Sequence, residues 1–170
     1  MTVQPSFNKN WLPAEITRVS SIAEIWKCSL TDEKSLHTTV SFNQGDIICS
    51  FKVKQILLVP NYLTLQSNER EHLMLNPHFL HYINHSCTPN VFFDTTKMVL
   101  TSLRKIEVGE EMNFFYPSTE WDMIQPFDCR CGSEECLGCI QGAAYLRGDI
   151  LSKYQLSDYV QGKLNFKDNL

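Results

Sequence analysis

A chain of 170 residues with 43% hydrophobic content can bury one real core but is short for two, so a single globular domain is expected. The formal net charge of −4 argues against a surface built to grip nucleic acid, which draws on clustered Lys and Arg, and suits a basic partner better. No apolar run reaches the length of a membrane span, and Met1-Thr2-Val3-Gln4-Pro5 lacks the basic then apolar pattern of a secretory signal, so an intracellular protein is expected, cytoplasmic or, in a eukaryote, nuclear.

In chain order the pattern is mostly short strands with few long helical stretches. The turn Asn43-Gln44-Gly45-Asp46 leads into Ile47-Ile48-Cys49-Ser50-Phe51, and Tyr62 to Gln66, Val91-Phe92-Phe93 and Met98 to Leu103 have the same strand length and β-branched or aromatic content. Thr95-Thr96-Lys97 turns between the last two. Glu107-Val108-Gly109-Glu110 is a further turn that delivers Met112 to Tyr116 as a strand, and side-chain alternation puts Phe114 and Tyr116 on one face. Ala143, Leu146, Ile150 and Tyr154 recur at helical spacing, which predicts an amphipathic helix over 143–157. Residues 158–170 read as a polar, weakly ordered tail.

The seven cysteines are odd in number and partly clustered, which fits a reducing compartment and a metal better than a disulfide framework. Cys129-x-Cys131-x4-Cys136 supplies three close sulfurs, and a purely structural tetrahedral zinc needs four ligands. Cys87 is one candidate for the fourth. Cys136-Leu137-Gly138-Cys139 offers another and would allow a wholly local site. Cys28 and Cys49 read as ordinary buried thiols.

Three ordered motifs carry a resemblance: Tyr82-Ile83-Asn84-His85-Ser86-Cys87-Thr88-Pro89-Asn90, Gly109-Glu110-Glu111-Met112-Asn113-Phe114-Phe115-Tyr116, and Phe127-Asp128-Cys129-Arg130-Cys131-Gly132-Ser133 with Cys136-Leu137-Gly138. Together they resemble the SET-domain protein methyltransferases with a post-SET zinc segment, over roughly Gly45 to Ile140. The resemblance implies a mainly β fold, a SET-type β-clip of small sheets with a pseudoknot, a C-terminal zinc flap and a short terminal helix. It divides the chain into a SET domain (1–126), a post-SET zinc segment (127–142), the helix (143–157) and the tail (158–170).

It also implies an activity: methyl transfer from S-adenosylmethionine to a lysine amine of a protein or peptide, with no direct role for nucleic acid or membrane. A lysine amine has an unperturbed pKa of about 10.4 and must be neutral to attack, so a dry, positioned channel is needed. By resemblance Tyr116 is the catalytic tyrosine, Asn84 and His85 contact the amino-acid end of the cofactor, and Cys87, Cys129, Cys131 and Cys136 hold zinc, with Cys139 near the adenine. Phe114, two before Tyr116, shares its channel, and a phenylalanine there accompanies di- or trimethylation in the family. Phe93 is a second channel candidate. Trp121 and the two acids of Thr119-Glu120-Trp121-Asp122-Met123 either frame a basic peptide or cover the cofactor, or the stretch is a surface loop anchored by its tryptophan.

One departure stands out. The family carries a Gly-x-Gly turn upstream of the position matching Gly45, and here Glu33-Lys34-Ser35 stands in its place, with no glycine before Gly45. Glycine is used where backbone must take positive φ or approach a ligand closely. Ser35, Lys34 or His37 is then expected to reach the methionine carboxylate, with Ser35 the first candidate. The same departure motivates the alternative of a weak or inactive scaffold that binds a basic tail or partner protein.

Overall fold

A computed structural model describes residues 13–167; the Met1-Thr2-Val3-Gln4-Pro5 start, the rest of the first twelve positions and the last three of the expected tail lie outside the described residues. The chain begins with β1 (Pro13–Arg18), β2 (Ala23–Cys28) and β3 (Lys34–Thr38), then β4 (Ile47–Ser50), β5 (Lys52–Leu57), β6 (Thr64–Gln66) and β7 (His72–Asn76). It continues through β8 (Asn84–His85), β9 (Val91–Asp94), β10 (Val99–Ser102), β11 (Asn113–Phe114), β12 (Phe127–Asp128) and β13 (Cys139–Ile140), and ends in α1 (Gly148–Leu151) and α2 (Asp158–Lys167).

These strands make small separate sheets, as a mainly β reading requires. β1-β2-β3 is an antiparallel meander, β4-β10-β9 and β5-β7-β6 are three-stranded sheets, and β12 pairs β13 across the cysteine segment. β8 and β11 differ, pairing in parallel with Asn84 opposite Asn113 and His85 opposite Phe114. The expected strands at Ile47, Thr64, Val91, Val99 and Asn113 all form; β10 alternates buried and half-buried side chains, whereas β9 and β11 are buried on both faces. Leu36, Leu75, Ile83, Val91, Leu100 and Ile106 are essentially inaccessible and join the sheets into one core. Gly109 takes φ +83 at the turn before β11, a conformation other residues adopt at a steric cost.

The C-terminal expectations need correction. Residues 143–157 are not one helix: a 3-10 turn spans Ala143–Tyr145, and Leu146 and Arg147 are extended at ψ 150 and 149 before α1 starts. The apolar spacing was real, since Ala143 and Leu151 are buried beside Phe115, with Leu146 and Tyr154 packed around them. A single straight helix could not follow that curved surface. The expected tail is also wrong through Lys167, which ends α2. Ser157 Oγ accepts the Val160 N–H at 3.3 Å as an N-terminal cap, and fully buried Val160 pins the helix to the Phe115 cluster.

Candidate functional site

The parallel β8-β11 pair brings the two central motifs side by side. Ser86 donates its N–H to the Phe114 carbonyl at 3.0 Å, and buried Asn90 accepts the Asn113 N–H at 2.8 Å while donating to the Glu111 carbonyl at 2.7 Å. Buried polar groups at this junction are therefore paired, as stability demands. Tyr116 lies two residues beyond the end of β11 and is the first residue of a 3-10 turn, Tyr116–Ser118. Its ring packs against Phe114 at 4.7 Å and His85 at 5.2 Å between centroids, confirming the shared face, and its hydroxyl points at the Ile83 carbonyl at 3.5 Å.

A cavity of about 430 Å³ opens in front of these residues. Phe93, Phe114, Leu65 and Leu75 give it apolar walls, Tyr116 and Ile83 stand within it, and Asn84, Lys34, Tyr82 and Phe127 form its other side. Phe93 is buried and meets Phe114 edge-on at 4.9 Å, itself backed by Phe51 at 5.7 Å. The two phenylalanines are thus held by packing. A cavity of this size with apolar walls and charged or amide side chains such as Lys34, Asn84 and Glu120 at its lining is the usual form of a small-molecule site.

Asn84 is oriented by its own donors. Its Nδ2 donates to the Lys34 carbonyl at 3.1 Å and to Glu111 Oε1 at 3.0 Å, which leaves Oδ1 as its remaining acceptor on the cavity side. Glu111 is buried, and loss of hydration pushes its carboxyl up to about 7. His85 is buried too: Nδ1 accepts the Tyr116 N–H at 3.2 Å, so the other ring nitrogen carries the proton and faces Cys87 Sγ at 3.4 Å. Burial lowers its pKa to about 3 and keeps the ring neutral.

Ser35 is not brought to the cavity. It is 1% exposed, and its hydroxyl is taken by His37 Nε2 at 2.9 Å, while His37 Nδ1 bonds the Gly109 carbonyl at 3.0 Å and its ring stacks on Trp26 at 3.9 Å. The reason is register: β3 is buried on both faces, and alternation puts Ser35 and His37 on the face opposite core residue Leu36, with Trp26 directly opposite Ser35 in the pairing with β2. Lys34 lies on the cavity side instead, its ammonium over the Tyr82 ring at 5.3 Å. Just before Glu33-Lys34-Ser35, Asp32 takes φ +60 and forms an ion pair with Lys27 at 2.8 Å.

The sulfurs of Cys87, Cys129, Cys131 and Cys136 all lie within 4.8 Å of one another, with Cys87 and Cys129 at 3.9 Å. Tetrahedral zinc with Zn–S bonds of about 2.3 Å needs sulfurs roughly 3.8 Å apart, so this set fits the ion. Cys139 is exposed on β13 opposite Asp128 and is neither part of the cluster nor a cavity residue. The flap is tied down from several sides. Leu137 donates its N–H to Cys87 Sγ at 3.4 Å, and Tyr154 donates its hydroxyl to the Cys87 carbonyl at 2.9 Å while stacking on Phe115 at 3.7 Å.

Trp121 also lies away from the cavity, against the Phe115 cluster under Lys163, whose ammonium sits 5.4 Å from its ring. Its carbonyl would meet a Cβ on Gly142 at 2.5 Å, so glycine there is what lets the two segments close. Of the loop Thr119-Glu120-Trp121-Asp122-Met123, the cavity takes Glu120 and Met123. Sequence reasoning groups Glu120 with Asp122 as two acids beside Trp121 and gives Glu111 no role of its own; what local pattern does not show is that Glu111 and Glu120 are both buried. No helix among the described residues is long and apolar enough to cross a membrane.

With this geometry in place, comparison with known proteins is informative. The SET domain family profile matches residues 33–117. A methyltransferase, flvH, from Aspergillus flavus is 48% identical over 85 residues, 49% of this chain and 48% of that protein. An H3 lysine-4 specific histone-lysine N-methyltransferase from Emericella nidulans is 42% identical over 64 residues, 34% of this chain and 5% of that protein. The chain thus spans about half the length of the first relative and a small part of the second. KRYPTONITE, solved in complex with mCHG DNA and SAH, superposes with a TM-score of 0.51 at 19% identity over 65% of this chain and 27% of that one, a likeness of fold.

Proposed function

This chain belongs to the SET-domain family, whose profile covers half of it, and on that premise we propose that it is a protein-lysine N-methyltransferase that uses S-adenosylmethionine. The observation that carries the reading is the placement of the Tyr116 hydroxyl beside the Ile83 carbonyl at the apolar Phe114 and Phe93 wall, in one cavity with Asn84. An oxygen pair of this kind suits an alkylamine.

S-adenosylmethionine supplies a methyl carbon bonded to a positively charged sulfur. The residues present fit it: with both Asn84 N–H groups consumed, Oδ1 is set to accept from an ammonium such as that of the cofactor's amino-acid end. Asn84 would hold that end, and His85 acts from behind by fixing the Tyr116 backbone. Tyr116 and the Ile83 carbonyl would orient the amine, while the apolar walls exclude water and favour its neutral form. Cys87, Cys129, Cys131 and Cys136 would hold a structural zinc that fastens the 127–142 segment to β8. Phe114 and Phe93 line the cavity without a hydroxyl that could hold a water beside the amine, which supports di- or trimethylation.

Calorimetric binding of S-adenosylhomocysteine to zinc-loaded and zinc-stripped protein tests cofactor and flap together. Micromolar binding that weakens on stripping is expected. A second reading, a binding scaffold without activity, is favoured by one feature, the consumption of the Ser35 hydroxyl by His37 where the family has its Gly-x-Gly turn. Absence of binding by folded, zinc-loaded protein would select it.

A further inference from the structure

The cavity contains a buried acid that the reading above does not use. Glu120 is 9% exposed and lines the same cavity as Tyr116, Phe114 and Phe127. Its backbone is fixed at both ends, the N–H donating to the Tyr116 carbonyl at 3.0 Å and the carbonyl accepting from Ala143 at 2.9 Å. One carboxyl oxygen, Oε1, accepts the Gln66 N–H at 2.8 Å and the Thr119 hydroxyl at 3.3 Å. Gln66 is locked in turn, its Oε1 accepting the Trp121 N–H at 2.9 Å and its Nε2 donating to Tyr159. The carboxyl is therefore positioned by design of the fold rather than by chance of a loop.

What it lacks is a counter-ion. Among the described residues no Lys, Arg or His forms an ion pair with Glu120. On α2, Lys163 is committed to an ion pair with Glu69 at 2.8 Å, and the neutral Tyr159 hydroxyl donates to Glu69 at 3.2 Å. Lys34, which lines the far side of the cavity, sits over Tyr82. Burying a carboxylate without a partner is expensive, and burial alone holds this one up at about 7. A buried acid that lines a ligand cavity and is paired with no cation among the described residues is the complement of a cationic ligand.

We propose that Glu120 is the anion that receives the alkylammonium end of the substrate in this cavity, and so a specificity-determining residue that selects a charged primary amine over a neutral chain of the same size. The proposal rests on the methyltransferase reading for the identity of the amine, but not for the pairing itself. The substrate crosses from water as an ammonium, the Glu120 carboxylate offsets its charge on entry, and the Phe114 and Phe93 walls hold its alkyl stem. The ammonium gives a proton to the Glu120 carboxylate, and the Tyr116 and Ile83 oxygens of the same cavity then orient the neutral nitrogen.

The test uses n-butylammonium as the probe, with n-butanol as its neutral counterpart, on zinc-loaded protein with and without S-adenosylhomocysteine. Wild type is expected to bind the ammonium and discriminate against the alcohol, and Glu120→Gln to lose about tenfold or more of the ammonium affinity, the scale of a charge-assisted hydrogen bond, while keeping its S-adenosylhomocysteine affinity. In wild type alone, 13C-glutamate NMR should show the Glu120 carboxyl titrating near neutrality and moving down by a unit or more when the probe is added, a readout that needs no variant to fold. Equal ammonium affinity in wild type and Glu120→Gln, equal affinity for butanol, or a Glu120 titration unmoved by the probe overturns the proposal. Loss of S-adenosylhomocysteine binding by wild type, with ammonium pairing retained, overturns the methyltransferase reading instead.

Discussion

His85 accepts the Tyr116 backbone N–H on Nδ1 at 3.2 Å, and the same ring presents its other nitrogen to Cys87 Sγ at 3.4 Å. One buried imidazole therefore joins the Tyr116 turn to the four-cysteine cluster, with Phe115 and Phe127 packed on it at 5.7 and 5.6 Å. Replacing it by alanine removes the packed ring and leaves the Tyr116 N–H unpaired. His85→Ala is expected to cost about 3 kcal/mol, the sum of a cavity and an orphaned donor, and to speed zinc release to a chromophoric chelator. A urea midpoint within error of wild type would show that the ring is a bystander.

The cluster distances make a sharper prediction for zinc. Cys87→Ser, Cys129→Ser, Cys131→Ser and Cys136→Ser should each lower zinc content, whereas Cys139→Ser should retain one ion per chain. Metal analysis after dialysis decides it. Zinc retained by Cys87→Ser but lost from Cys139→Ser would mean a wholly local four-cysteine site.

Tyr116 should matter to rate far more than to fold. Its hydroxyl meets the Ile83 carbonyl at 3.5 Å, the long limit of a hydrogen bond, while its ring is held by Phe114, His85 and Phe127. Tyr116→Phe keeps that packing, so stability should change by less than about 1 kcal/mol. Methyl transfer should fall about a hundredfold or more, the usual effect of losing an orienting group in a catalytic centre. Comparable losses of stability and rate would make the tyrosine a structural element.

Two buried carboxyls give the protein a characteristic pH dependence. Glu111 and Glu120 both sit near 7 in the folded chain against an ordinary 4.5, because burial disfavours their charge. Between those values the unfolded chain has released the protons and the folded chain still holds them. The contribution is therefore fully present below pH 4.5, lost as pH rises toward 7 and flat above, by at most about 3 kcal/mol per group. Urea unfolding of Glu111→Gln and wild type, compared at each pH from 5 to 8 with zinc saturating, should show the wild type losing ground to the variant as pH rises. A constant difference would mean that Glu111 ionises normally.

Which parts of this architecture were legible depended on whether local pattern or tertiary closure decides them. The shared face of Phe114 and Tyr116 follows from a period of two, and the close sulfurs of Cys129, Cys131 and Cys136 follow from their spacing. Ser35 fails because pairing with β2, not its neighbourhood in sequence, decides which way β3 turns it. The helix expected over 143–157 fails because apolar spacing reports which residues are buried but not whether the chain between them stays straight. Conversely, Ser157-Asp158 with Val160 and Leu164 behind it is a capped helix start that polarity around it disguised as a tail. Trp121 is pulled from the cavity by its packing with the Phe115 cluster and by the Gly142 approach, neither of which a local motif encodes.

Phe114 provides the prediction on product. Its ring is wedged between Phe93 at 4.9 Å and Tyr116 at 4.7 Å on the cavity wall, and it is 5% exposed, so a substituent at its ring edge has to come out of space shared with the amine or with packed neighbours. Phe114→Tyr adds a hydroxyl, which in this apolar setting must find a partner. A water held by it satisfies that need and occupies volume that a methylated amine requires. The wild type is therefore expected to carry a lysine peptide past the first methyl to two or three, and the variant to stop earlier with little loss in the first step. Mass spectrometry of the modified peptide at long times reads this directly. A wild type that halts at one methyl, or a variant with an unchanged product distribution, would place the limit on multiplicity elsewhere than at Phe114.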